Sequence, residues 1–114
     1  MNSTISNIIP AESRTIAALV KKHVQFADST ARVILFGSRV RGDASMDSDW
    51  DFLVLTQQTD TVGLADNLRK ILLREVELKY DVAISLIVKN TLVWESDYAV
   101  TNIYKSIVEE GKQL

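Results

Sequence analysis

The sequence predicts an α/β protein in which a small mixed β-sheet of about three to four strands is flanked by helices. Three short apolar segments rich in β-branched residues alternate with three stretches whose apolar residues recur at helical spacing. The 114 residues, 46% hydrophobic and 25% charged, are typical of one globular domain spanning residues 1–114. The predicted order is helix, strand, loop, strand, helix, strand, helix.

The first half of the chain is predicted to form one helix and two strands. Pro10 suits the first turn of a helix, and apolar residues then recur at helical spacing to about residue 27. The segment ARVILFG is typical of a buried strand that ends at Gly37. A second strand is predicted in DFLVLT, at residues 51–56.

The second half is predicted to form two helices around a third strand. Leu64, Leu68 and Leu72 mark a helix that continues to about Lys79. Residues 80–88, YDVAISLIV, follow as a strand rich in β-branched side chains. Apolar residues at helical spacing over 100–108 predict the last helix, with Gly111 as its C-terminal stop.

Composition excludes several classes of protein. With no cysteine, the chain has no disulfide, thiolate nucleophile or thiolate metal site. A net charge of −2 argues against direct binding to nucleic acid. The N-terminal residues lack the basic start and apolar run of a signal peptide, and no segment has the length of a membrane span. We therefore expect a cytoplasmic protein without a membrane partner.

Two aspartates at the start of the second predicted strand form a candidate metal site. Asp49 and Asp51 are two residues apart, so in an extended segment they face the same side with Cα atoms about 6–7 Å apart. Their mutual repulsion would become coordination around a divalent cation. Oxygen ligands without His or Cys favour Mg²⁺ or Mn²⁺ over zinc. The alternative is a polar loop whose aspartates are solvated, which is the role we expect for Asp43 and Asp47.

The other end of the same loop is suited to phosphate. Gly37 would let the backbone approach a ligand closely, and a short helical turn after it would direct backbone N–H groups at an anion. Ser38 supplies a hydroxyl, and Arg39 and Arg41 supply positive charge. The alternative for the two arginines is a role in surface solubility. A loop that binds phosphate at one end and a divalent cation at the other has the two features that a site for a nucleoside triphosphate requires.

Two other motifs fail because residues that they require are missing. Gly37 and Gly42 have the spacing of a phosphate-binding P-loop, but Asp43 and Ala44 follow where Lys and Ser or Thr are required. The alternating aspartates resemble an EF-hand calcium loop, but Ser48 replaces the glycine of its sixth position.

Asp81 is the candidate for a third carboxylate. It opens an apolar strand, where a charged residue otherwise has little purpose. If that strand lies beside the one opened by Asp51, Asp81 can face the same cation. The alternative is a strand-end aspartate that faces water.

The segment GSRVRGDASMDSDWD, a Gly-Ser followed after ten residues by Asp-x-Asp, resembles the signature of the minimal nucleotidyltransferases of the DNA polymerase β-like superfamily. The flanking ILFGSRVRG and DSDWDFLVL and the terminal NIYKSIVEEGKQL are similar to the same family, so the resemblance covers about residues 13–114. It implies the polymerase β-like nucleotidyltransferase fold. Trp50 replaces the family's usual aliphatic residue, and we expect it to pack rather than to stack on a base.

The resemblance also implies the roles of the site residues. Gly37 and Ser38 would hold the β- and γ-phosphates of ATP. Asp49 and Asp51 would ligate two Mg²⁺ ions, with Mn²⁺ as an alternative. Asp81 would complete the catalytic metal site and accept the proton of the attacking hydroxyl.

The small size of the chain resembles the antitoxins of HEPN–MNT toxin–antitoxin pairs. In that family the antitoxin transfers AMP from ATP to a tyrosine of its HEPN-domain partner. Two alternatives remain open: a non-catalytic antitoxin that acts by binding, and a small-molecule nucleotidyltransferase of the aminoglycoside type completed by a second subunit or a homo-oligomer.

Overall fold

The computed structural model of the protein describes residues 11–45 and 47–114. Pro10, which the sequence predicts in the first helical turn, lies outside the described residues, as do most of the N-terminal residues on which the absence of a signal peptide was judged. The described elements, in chain order, are α1 Ala11–Ala27, β1 Arg32–Phe36, α2 Ser38–Arg41, β2 Trp50–Thr56, α3 Thr61–Leu72, a π-helical segment Leu73–Glu77, α4 Leu78–Tyr80, β3 Ile84–Asn90, α5 Thr91–Ser96, α6 Asn102–Glu110 and β4 Lys112–Gln113.

The four strands form one mixed sheet in the order β3-β2-β1-β4. β2 and β3 are parallel, joined by a helical crossover, whereas β1 pairs antiparallel with both β2 and β4. The predicted fold class is therefore confirmed.

The sheet has an apolar core on each face, because its side chains alternate between the two sides. On one face, α1 and α3 pack over a core that includes Val33, Phe52 and Leu86. On the other face, α5 and α6 contribute Trp94 and Ile107 to a smaller core. Within the described ranges, none of the helices is both long and apolar enough to cross a bilayer.

The predicted boundaries of the third strand were wrong. The helical path that begins at Thr61 runs through the π-helical segment to Tyr80, so β3 starts at Ile84 rather than at residue 80. Val76, which is fully buried, extends the apolar face of this helix beyond Leu72. Asp81 then adopts a left-handed conformation with φ 54° at the end of the helix. The residue expected to open the strand instead ends the preceding helix.

Two short elements were not predicted. α5 begins directly after β3, where the side chain of Asn90 accepts hydrogen bonds from the backbone N–H groups of Leu92 and Val93. β4 follows the last helix, which ends before Gly111 as expected, and pairs with Ile34 and Leu35 of β1.

A buried carboxylate joins the end of α1 to β2. Asp28 accepts hydrogen bonds from the hydroxyl groups of Thr56 and Thr30 and from the backbone N–H of Thr30. Burial alone would raise the pKa of Asp28, but the hydrogen bonds from Thr56 and Thr30 outweigh it and hold that pKa below the ordinary value of 3.8. The ionised Asp28 therefore stabilises the fold.

We expect Asp28→Ala to lower the free energy of unfolding by about 2 kcal/mol, because it leaves the fully buried Thr56 hydroxyl without its acceptor. Since the folded pKa is lowered, this contribution is complete above pH 3.8 and is lost as the pH falls through the folded pKa. Urea unfolding at pH 7 and at pH 3 measures both effects. Asp66→Ala, which removes an exposed ion pair to Arg69, is the control and should change stability by less than about 0.5 kcal/mol. Equal losses in the two variants would contradict the role of Asp28.

Candidate active site

The loop between β1 and β2 begins with a sharp backbone turn at Gly37. This residue has φ 81° and ψ −158°, a combination that glycine adopts without steric cost and that other residues avoid. Its carbonyl accepts hydrogen bonds from the backbone N–H groups of Val40 and Arg41, each at 3.1 Å. The short helix α2 therefore starts at Ser38, as the sequence predicts, and ends at Gly42, whose φ is 87°.

Gly37 lies directly against the carboxylate of Asp51. In the antiparallel pairing of β1 with β2, Phe36 is opposite Asp51, which places the turn beside the Asp51 side chain. A Cβ at position 37 would collide with Asp51 Oδ2 and would lie 3.2 Å from its Cγ. The two predicted ends of the loop therefore meet in space.

Asp49 and Asp51 are close enough to interact electrostatically. Burial is the largest cause that raises the pKa of Asp51 above its ordinary value, and the charge of Asp49 raises it further. The charge of Arg41 acts in the opposite direction, so this guanidinium is also near the pair. Asp49 is exposed and Asp51 is partly buried. The pair is a partly desolvated concentration of negative charge that a cation would neutralise.

Arg39 stabilises the loop. Its guanidinium donates a hydrogen bond to the carbonyl oxygen of Ser48 at 2.9 Å and lies over the ring of Trp50, with its central carbon 4.4 Å from the ring centroid. Trp50 is 3% exposed and belongs to the larger core, so it packs as expected. The side chain of Arg39 is therefore engaged with the loop that carries Asp49.

Arg41 connects the loop to the end of the chain. Its guanidinium pairs with Asp43 at 3.3 Å and with Glu110 of α6 at 3.0 Å. Sequence reasoning missed Glu110, although the Glu-Gly ending quoted for the family resemblance contains it. Gly111 allows this contact, because a Cβ there would lie 2.6 Å from the carbonyl oxygen of Ile107 and 2.8 Å from Cγ2 of Ile34.

The structure does not bring Asp81 to the aspartate pair. The strand after it does lie beside β2, as expected, but Asp81 precedes that strand and is exposed. It lines a cavity of about 340 Å³ together with Asp47, Ser48, Val82 and Ala83. Among residues 11–45 and 47–114, no three His, Cys, Asp or Glu side chains are grouped to hold a metal ion. Of the three acids expected to share one cation, the structure therefore brings together Asp49 and Asp51 without Asp81.

The pair still fits a hard divalent cation. Both side chains are oxygen donors, and Mg²⁺ is commonly bound by one or two carboxylates together with the phosphates of a substrate. The Gly37 turn leaves space beside Asp51 that any larger side chain would fill. A metal–nucleotide complex could therefore be held between Asp49, Asp51 and α2.

Comparison with known proteins agrees with this geometry. Residues 17–113 match the family described as the nucleotidyltransferase domain. The chain is similar to a protein of Methanocaldococcus jannaschii named "Putative protein adenylyltransferase MJ0141", with 38% identity over 89 residues that cover 77% of this chain and 83% of the relative. The matched region contains both the Gly-Ser turn and the aspartate pair.

Proposed function

Because the chain belongs to the nucleotidyltransferase domain family, we propose that it transfers AMP from ATP to a protein hydroxyl, namely a tyrosine of a HEPN-domain partner. The similarity to a relative named as a protein adenylyltransferase supports a protein as the acceptor. The tyrosine and the HEPN partner come from the resemblance to the antitoxins of HEPN–MNT pairs.

One observation carries the proposal: the carboxylate of Asp51 lies against the Gly37 turn from which α2 starts. A nucleoside triphosphate has its charged phosphates at one end and needs a cation for them. The loop offers backbone N–H groups and the Ser38 hydroxyl for the phosphates, and it offers Asp49 and Asp51 for the cation. We assign to Arg41 the electrostatic attraction of the incoming triphosphate, and to Arg39 the stabilisation of the loop conformation.

The reaction breaks a phosphoanhydride bond of ATP and forms a phosphoester bond to the acceptor. The acceptor oxygen attacks the α-phosphorus of ATP, the bond from that phosphorus to the pyrophosphate oxygen breaks, and the hydroxyl proton is released. A bound divalent cation supplies Lewis-acid polarisation of the phosphate oxygens and stabilises the leaving pyrophosphate. The protein orients the triphosphate along α2 and holds the cation ligands at the start of β2, so that the α-phosphorus is presented to the acceptor.

The test is transfer of label from α-labelled ATP to a co-expressed HEPN-domain protein in the presence of Mg²⁺ or Mn²⁺. We expect labelling with the wild-type chain and a rate lower by at least about 100-fold with Asp49→Asn, because a ligand of the cation that would neutralise the reacting phosphates is lost. The γ-labelled nucleotide should give no labelling, which distinguishes AMP transfer from phosphorylation.

Asp47→Asn is the matched control, because it removes an exposed carboxylate of the same loop. It should label the partner at nearly the wild-type rate. Wild-type protein that transfers no label with either metal would refute the proposed activity.

A second candidate function is neutralisation of a partner by binding alone. Apolar side chains of the α5–α6 side are exposed, including Leu92 at 78%, Val100 at 79% and Val108 at 66%, and they could contact another protein. If binding is sufficient, Asp49→Asn and Asp51→Asn would still neutralise the partner in cells. Loss of neutralisation in both variants, with binding retained, would favour the enzyme.

A further inference from the structure

The residue beside Asp51 on the neighbouring strand is Ser85. In the parallel pairing of β2 with β3, Asp51 is opposite Ser85, and neighbouring strands are about 4.8 Å apart. Residues that are paired across a sheet project from the same face. Ile84 and Leu86 pack in the same core as Trp50 and Phe52, so Ser85 and Asp51 share the other face.

The other neighbour of Asp51 cannot supply an oxygen ligand. On β1 the residue opposite Asp51 is Phe36, which packs against the smaller core. The row across the sheet is therefore Phe36, Asp51 and Ser85. In this row of three residues, the side chains of Asp51 and Ser85 carry oxygen atoms and that of Phe36 does not.

Asp81 cannot take the place of Ser85 without a change in the backbone. Asp81 precedes Ser85 by four positions in sequence, and it has the left-handed conformation that ends α4. Asp81 lines a cavity together with Asp47 and Ser48. Moving it into the row would require unwinding of the helix end and a shift of β3 along β2.

We propose that the hydroxyl of Ser85, and not the carboxylate of Asp81, is the third protein oxygen at the cation site of Asp49 and Asp51. This inference rests on the proposed function for the presence of a cation. A neutral hydroxyl stands where a third carboxylate was expected, so the site has two negative ligands. Affinity for a divalent cation is lower when fewer of its ligands are charged. The protein therefore binds free Mg²⁺ or Mn²⁺ weakly and takes up the ion together with a triphosphate, whose oxygens complete the coordination.

The test is binding of Mn²⁺ alone, measured without nucleotide from the loss of the electron paramagnetic resonance signal of the free ion. Ser85→Asp supplies the missing charge and should bind Mn²⁺ at least about tenfold more tightly than the wild type. Asp81→Asn should bind as the wild type does. The complex of Mn²⁺ with ATP, measured by isothermal titration calorimetry, should bind to Ser85→Ala about tenfold more weakly than to the wild type.

Gln57→Glu is the matched control, since it adds the same charge at the opposite end of β2 and should leave Mn²⁺ binding unchanged. Circular dichroism and the melting temperature verify that each variant is folded. The inference is overturned if folded Ser85→Asp gains no affinity, or if Asp81→Asn loses affinity as Asp49→Asn does.

The test of Ser85 and the test of the proposed function can fail independently of each other. Label transfer by the wild type without a gain in Ser85→Asp would refute the role of Ser85 alone. Tighter Mn²⁺ binding in Ser85→Asp without any label transfer would support the cation site and refute the proposed activity.

Discussion

Gly37→Ala should abolish nucleotidyl transfer while most of the fold remains intact. The new Cβ would collide with the carboxylate of Asp51, and the left-handed φ of 81° is unfavourable for alanine. Asp51 or the turn must move, and either movement would separate the proposed cation ligand from the proposed phosphate-binding end of the loop. Because a displacement of about 1 Å can cost about 100-fold in rate, we expect at least that loss in the labelling assay.

Gly42→Ala is the control for a positive φ without a collision. Gly42 has φ 87° and ψ 8°, in the αL region, whereas Gly37 has φ 81° and ψ −158°, and a Cβ at position 42 would have no atom within 4 Å. It should therefore lose stability by about 1–2 kcal/mol and keep transfer near the wild-type rate, measured at a temperature where both variants are folded. A folded Gly37→Ala variant as active as Gly42→Ala would show that the close approach to Asp51 is not required.

Asp51→Asn should raise the melting temperature of the metal-free protein but abolish the further increase that Mg-ATP produces. Asp51 is partly buried and is repelled by Asp49, so the neutral amide should raise the melting temperature of the metal-free form. In the wild type, Mg²⁺ with ATP at 100 times the dissociation constant should stabilise the fold by about 2.7 kcal/mol. Asp51→Asn should lose this increase, together with label transfer.

Differential scanning fluorimetry with and without Mg-ATP measures both effects. Asp66→Asn, which neutralises an exposed carboxylate of α3, should keep the ligand-induced increase. A wild-type melting temperature that is unchanged in saturating Mg-ATP would count against a functional site. An unchanged increase in Asp51→Asn would show that the nucleotide binds without this carboxylate.

Local features of the site could be predicted from the sequence because short-range geometry determines them. The turn at Gly37 and the helix after it follow from the residue types at 37–41, and the structure has both. The outward direction of Asp51 and the packing of Trp50 follow from the alternation of side chains along a strand. The family resemblance depended on the same segment.

The contacts between distant segments could not be predicted. Arg41 and Glu110 are 69 residues apart, and they meet because β4 pairs with β1 beyond Gly111. The apolar residues after Asp81 predict that it opens a strand. The preceding helix ends at Tyr80, close to the predicted Lys79, but Asp81 adopts a left-handed conformation there and the strand starts three residues after it.

The sequence by itself therefore determined the fold class, the turn at Gly37 and the aspartate pair, since each depends on residue types within a few positions of one another. Only the tertiary structure decided which side chain lies beside that pair. The register of a parallel strand is set by the packing of residues such as Leu86 and Val88 against the helices, and that packing places Ser85, not Asp81, beside Asp51.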